Sequence, residues 1–299
     1  MKQRKIFKLS FFIIGLFSWI SLSHAFAQTN PQQNIETIKT VISADGTAIN
    51  YYEYEHEDPT LVFVHGWSCE ASYWKEQIEY FKKNYQMIML DLAGHGQSES
   101  KRKNYTMAAF AQDVKAVVDN TQTDKVILIG HSMGALVTAH AALLMPEKVI
   151  GLIAVDDLQN VEYPLSKEQF DAMVSPFKEN FKQGVRSFVT EMLRPDNLPI
   201  NEWIISDMSS ADPEIAISTI NSSLEGYLNG TTAKLFHELS IPVVAVNTNQ
   251  WPTNVEANKR HIKDFELIEL DELDHFLMLK APERFNPALE KAIKLILKQ

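Results

Sequence analysis

The apolar positions of the chain follow two rhythms. Four continuous runs, "TLVFVHG" (60–66), "YQMIMLDLAGHG" (85–96), "KVILIGHSMG" (125–134) and "VIGLIAVDD" (149–157), each close on Gly or Asp. An apolar run without alternation is what a strand buried on both faces requires. Between the runs, "NYTMAAFAQDVKAVVDNT" (104–121) and "ALVTAHAALLMP" (135–146) repeat apolar residues at helical spacing. Buried strands alternating with helices predict an α/β fold: a mostly parallel central sheet flanked by helices. Ahead of them, "IETIKTVIS" and "TAINYYEYE" flank "ADG" (44–46), a hairpin pattern.

After Asp157 the rhythm breaks. Residues 158–239 carry helical patterns and no convincing strand. Met173, Phe177, Phe181, Val185, Phe188 and Met192 recur at three- and four-residue spacing, which predicts one amphipathic helix. The strand pattern returns at "IPVVAVN" (241–247) and "DFELIEL" (264–270), and "PERFNPALEKAIKLILK" (282–298) predicts a closing helix. Residues 28–157 and 240–299 therefore read as one core, with 158–239 inserted as a helical lid.

The first 27 residues stand apart. A basic start, the apolar run "LSFFIIGLFSWISL" and Ala25-Phe26-Ala27 predict a cleaved signal peptide and an exported protein, periplasmic or secreted. The apolar run is short for a membrane span, so none is expected after cleavage. The formal charge of the 299 residues is −10, and removing Lys2, Arg4, Lys5 and Lys8 leaves −14. That balance disfavours nucleic acid and anionic membranes as partners. Cys69 is the only cysteine, so no intramolecular disulfide can form, and a small buried residue is its expected role. The nine histidines form no H-x-x-x-H or H-E-x-x-H pair, and neither metal nor organic cofactor is expected.

The chemistry centres on Gly130-His131-Ser132-Met133-Gly134. It fits G-x-S-x-G and joins a strand pattern to a helix pattern, the context that motif requires. A serine needs a base. His275, in "LDELDHFLMLKAPERFN", follows the last strand and precedes the last helix, where a loop can reach the sheet's C-terminal edge. Oxyanion donors are expected from the backbone N–H groups of Trp67, after His65-Gly66, and of Met133. His65 and His131 read as packing residues, and "DLAGHGQS" (91–98) as a loop shaping the sheet edge.

"LVFVHGW", "DLAGHGQS", "GHSMGA", the helical insertion and "DHFLMLKAPERFN" occur in the order found in the α/β-hydrolase superfamily. The resemblance covers nearly the whole chain after residue 27. It is similar to the lid-bearing group of small esterases, cofactor-free perhydrolases and carbon–carbon bond hydrolases. The resemblance implies Ser132 as nucleophile and His275 as base. It argues against dehalogenases and epoxide hydrolases, which carry Asp where Ser132 stands.

The family's third triad member usually follows the strand after the lid. Here that stretch is Asn247, Thr248, Asn249 and Gln250, with no carboxylate. An amide cannot balance an imidazolium charge. Asp156 and Asp157, before the lid, occupy an alternative acid position known in the family. Successive strand residues face opposite ways, so at most one should fit. Asp156 is preferred as the first residue beyond the apolar run. Asp157 is the alternative, and would otherwise cap the next turn.

The expected function is hydrolysis of a small-to-medium ester or related acyl substrate through an acyl-enzyme. Two rival readings are a cofactor-free perhydrolase and a ligand-binding protein with weak turnover. Phe170, Met173, Phe177, Phe181, Phe188, Met192 and Trp203 are candidates for an apolar lid lining. Trp67, Phe181 and Trp203 are the expected substrate contacts, though most of the stripe should simply pack the lid.

Overall fold

A computed structural model describes residues 38–196 and 198–298. The expected signal peptide, residues 1–27, lies outside them. The hairpin forms as β1 (Ile38–Ile42) and β2 (Ala48–Tyr54), antiparallel with Ile38 opposite Tyr52. Then come β3 (Thr60–Val64), a 3-10 turn (Ala71–Trp74), α1 (Lys75–Phe81), β4 (Gln86–Leu90) and α2 (Met107–Asn120). β5 (Val126–His131), α3 (Met133–Leu144) and β6 (Val149–Val155) complete the first part of the core. Five helices follow: α4 (Lys167–Glu179), α5 (Phe181–Met192), α6 (Pro199–Met208), α7 (Pro213–Leu228) and α8 (Thr231–His237). The core resumes with β7 (Val243–Thr248), α9 (Val255–His261), β8 (Phe265–Leu270), the single turn α10 (Leu277–Lys280) and α11 (Pro282–Leu297).

The eight strands form one sheet in the order β1-β2-β4-β3-β5-β6-β7-β8. β2 pairs antiparallel with both β1 and β4, and every other pairing is parallel. Burial follows the sequence pattern. β3, β4, β5 and β7 are buried at every position, whereas edge strand β1 alternates and β8 exposes Glu266 and Glu269. Parallel central strands send their C-terminal ends to one edge, so the loops after β3, β5, β6 and β7 gather there.

The amphipathic stripe at 173–192 forms two helices, not one. Asn180 leaves helical geometry (φ −151°, ψ 94°), and its side chain accepts the N–H of Gln183 as the N-cap of α5. A short polar side chain that satisfies an orphan donor makes a helix start as readily as a continuation. Phe177 and Phe188 still converge, their rings 5.4 Å apart, but from two separate helices.

Below the sheet edge lies a buried ionic knot. Arg102, its side chain only 2% exposed, donates to both carboxylate oxygens of Asp113 on α2 and to Asp45 in the β1–β2 turn. Asp113 also accepts from Ser43 Oγ and the Ala93 N–H. Burial pushes the Asp113 carboxyl up despite the pull of Arg102. Removing one partner of such a pair strands the other charge. Arg102→Met should lower unfolding stability by about 3–5 kcal/mol in urea titration, with Asp113→Asn/Arg102→Met less damaging than the single change.

Candidate active site

Ser132 sits between β5 and α3 with φ 50° and ψ −127°, a backbone conformation that a residue with a Cβ adopts only under constraint. The constraint is close packing. A Cβ on Gly130 would lie 2.3 Å from the Gly134 carbonyl oxygen, and one on Gly134 would lie 2.6 Å from that of Val64. Only glycines let strand and helix approach this closely around the turn. The Ser132 N–H donates to the Val155 carbonyl at 2.9 Å, tying the turn to β6.

The turn after β3 runs alongside. A Cβ on Gly66 would come within 3.3 Å of Ser132 Cβ, so the Gly66-Trp67 backbone passes directly by the serine. Met133 opens α3, and its N–H is one of the donors that a helix start leaves without an intrahelical partner. His65 is fixed within its own loop. Its Nε2 accepts from the Leu92 N–H at 3.1 Å, so Nδ1 carries the proton to the Gly66 carbonyl at 2.8 Å. Burial holds it neutral, well below the usual histidine range.

His275 Nδ1 lies 2.7 Å from Asp156 Oδ2, both groups almost wholly buried. Asp156 follows β6 with φ 48°. Its other oxygen, Oδ1, accepts the Thr248 N–H at 2.8 Å and the Thr248 hydroxyl at 3.0 Å. Burial alone would raise this carboxyl; the bond and the charge of His275 and the two Thr248 donors outweigh it and hold the acid below its ordinary range. Asp157 turns elsewhere: its Oδ1 accepts the N–H of Leu158 at 2.6 Å. Burial lifts it to about 7, which a nearby Asp156 reinforces.

The histidine loop is clamped from several sides. His131 Nε2 lies 2.9 Å from the His275 carbonyl oxygen, and the two rings are 4.6 Å apart. Burial, then the proximity of His275, drops His131 to about 3, so it stays a neutral donor. The His275 N–H reaches the Met192 carbonyl at 3.4 Å, and the Arg194 N–H donates to Asp274 at 2.9 Å. Lys280, 6% exposed, pairs with Asp274 and Asp196. Asn249 accepts from the Glu272 N–H and donates to Asp271, and Gln250 donates to the Glu191 carbonyl. The amide-rich stretch after β7 thus braces the loop and the end of α5.

Ser132, Asp156, Asp157 and His275 all border one cavity of about 600 Å³. Trp67 and Met133 border it as well, with Met173, Phe188 and Met192 from the inserted helices. Phe181 and Trp203 do not. Phe181 opens α5 and packs half-buried against the core, while Trp203, 37% exposed, stands 5.1 Å from the Tyr73 ring with Lys75 over its face. Phe181 starts a new helix after the break at Asn180, and Trp203 belongs to the separate helix α6. Phe177 is buried beneath it, 5.0 Å from the Trp67 ring. Trp67 itself is anchored by its indole N–H to the Ala216 carbonyl of α7 at 2.8 Å. Cys69 is buried, and burial pushes its thiol well up, which leaves it unreactive. Thr248 stood in the stretch without a carboxylate but was given no role from the sequence. The only signal was its place: a hydroxyl where an acid is usual.

A family model described as the alpha/beta hydrolase fold matches residues 59–279. The chain is 23% identical to 3-oxoadipate enol-lactonase 2 of Acinetobacter baylyi, over 86% of this chain and 97% of that one. It is 24% identical to (E)-2-((N-methylformamido)methylene)succinate hydrolase of the same organism, over 84% and 96% respectively. A thermophilic esterase from Thermogutta terrifontis shares the fold with a TM-score of 0.74 at 19% identity, covering 87% of this chain and 99% of that one. Matched from β3 through the loop that carries His275, the chain belongs to the α/β-hydrolase family.

Proposed function

We propose that this α/β-hydrolase is a serine esterase working through a Ser132–His275–Asp156 triad. The observation that carries the reading is the buried His275–Asp156 bond of 2.7 Å on the same cavity as a serine held at φ 50°. The Ser132 hydroxyl attacks the acyl carbonyl while His275 Nε2 takes its proton. Asp156 keeps the other proton on Nδ1 and balances the imidazolium charge. The N–H groups of Trp67 and Met133 receive the oxyanion. His275 returns the proton to the departing alcohol, then activates a water that releases the acyl group.

Thr248 acts as a positioning residue. Together with the bond and charge of His275, its two donors help hold Asp156 ionised, and its hydroxyl fills the place of the missing acid. The inserted helices form a lid whose apolar residues line the cavity, suited to a small-to-medium acyl substrate. The substrates named for the two relatives, an oxoadipate enol-lactone and a substituted succinate, carry carboxylates. No lysine or arginine borders the cavity among the described residues, so neither substrate is assigned to this chain. The leader at 1–27 carries the reading to export. No helix among the described residues is long and apolar enough to cross a membrane.

Ser132→Ala should abolish labelling by a fluorophosphonate and lower kcat/KM for short esters by about 10³-fold or more. Full activity in that variant would end the serine reading. Asp156→Asn should cost up to about 10⁴-fold in kcat, and far more than Asp157→Asn; the reverse ranking would exchange their roles. Thr248→Val should reduce kcat by about tenfold, with Thr248→Ser restoring it. Sequencing the amino terminus of exported protein should read from Gln28.

A further inference from the structure

One polar feature of the cavity takes no part in these steps. Asp157 borders the cavity together with Tyr227 of α7. It stands between Asp156 (φ 48°) and Leu158 (φ 60°), two residues in left-handed backbone geometry. That double twist sends the neighbouring carboxyls to different places: Asp156 back toward β7 and His275, Asp157 to the cavity wall. Only the Leu158 N–H donates to Asp157, through Oδ1, so its second oxygen has no donor among the described residues. The Tyr227 hydroxyl has no hydrogen-bond partner there either. Much of the remaining wall is apolar, including Leu136, Leu165, Met173, Met192, Ile220 and Leu224.

A carboxyl in such a setting is costly unless something pairs with it. Its environment shows the cost: burial lifts Asp157 to about 7, and burial with the nearby Asp157 charge pushes the Tyr227 phenol well up. Its other charged neighbours are Asp156 and His275, which belong to the triad. An unpaired acceptor built into a strained turn, in a cavity that holds the nucleophile, is a place for a ligand group.

We propose that Asp157 and Tyr227 form a polar subsite that receives a hydrogen-bond-donating group of the substrate, a hydroxyl or an ammonium, and rejects a carboxylate there. The inference rests on the esterase reading above and gives that reaction a substrate class. A donor at this point satisfies the free carboxyl oxygen. A methyl group leaves it unpaired. A carboxylate brings a further negative charge beside Asp156 and Asp157, with no lysine or arginine among the described lining residues to meet it.

Two matched ester series test this, because the subsite can lie on either side of the scissile bond. On the acyl side, p-nitrophenyl esters of heptanoic, 6-hydroxyhexanoic, 6-aminohexanoic and adipic acid differ only at the far end. On the alcohol side, acetates of hexanol, 1,6-hexanediol, 6-aminohexanol and 6-hydroxyhexanoic acid do the same. In one series the hydroxyl and ammonium esters should exceed the methyl ester in kcat/KM by about tenfold or more, with the carboxylate ester slowest. Asp157→Asn should shrink that ratio by about tenfold. The ammonium-to-methyl ratio should also rise from about pH 6 to about pH 8 as Asp157 ionises. Methyl esters hydrolysed as fast as both donors in both series, or a ratio untouched by Asp157→Asn, overturn the subsite and leave the esterase standing. A Ser132 that neither labels nor turns over any ester overturns both.

Discussion

The site depends on a buried bond between an imidazole and a carboxylate, and that bond depends on two neighbouring parallel strands. Asp156 follows β6 and Thr248 ends β7, with Val155 in register with Val246 just below them. The Asp156 N–H itself reaches the Val246 carbonyl at 3.0 Å. A charge this deep needs more than one partner to remain ionised. His275 supplies one, and Thr248 supplies two more through its amide and hydroxyl. The acid and the residue in its usual place are therefore parts of one unit. Moving the carboxylate one strand over keeps it beside the same histidine.

The inserted helices are equally bound into this unit. Trp67 contributes its backbone beside Ser132 and its indole to α7. Met192 and Arg194, at the end of α5, hold the backbone of His275 and the carboxylate of Asp274. The ring of Trp67 also packs on Phe177 of α4 and Phe188 of α5. A rigid-body departure of these helices would break hydrogen bonds to the serine-side loop and to the histidine loop together. Cavity shape and catalytic geometry are thus mechanically coupled.

Much of this was legible in the sequence because the signals were local. Continuous apolar runs marked the parallel strands, and Gly130-His131-Ser132-Met133-Gly134 marked the turn between one strand and its helix. His275 could be singled out by its place between the last strand and the last helix. The failures came where a local pattern had two solutions. The 173–192 stripe has helical spacing throughout, but Asn180 satisfies a new helix start, so one predicted helix becomes two, and neither Phe181 nor Trp203 borders the cavity. Thr248 carries no charge and no motif, so only the pairing of β6 with β7 reveals it. The amides beside it read as a gap in a triad, whereas Asn249 and Gln250 are braces for a loop that lies next to them only in the folded chain.

The absence of lysine and arginine on the cavity wall, among the described residues, bears on the end of the proposed catalytic cycle. Ester hydrolysis turns a neutral substrate into a carboxylate product. In the proposed reaction that product forms in a cavity bordered by Asp156 and Asp157, with no lysine or arginine bordering it among the described residues. At low effective dielectric, like charges at such separations repel appreciably. In that reading the wall that holds the ester weakens its grip once the acid is made, and the charge created by the chemistry promotes product release.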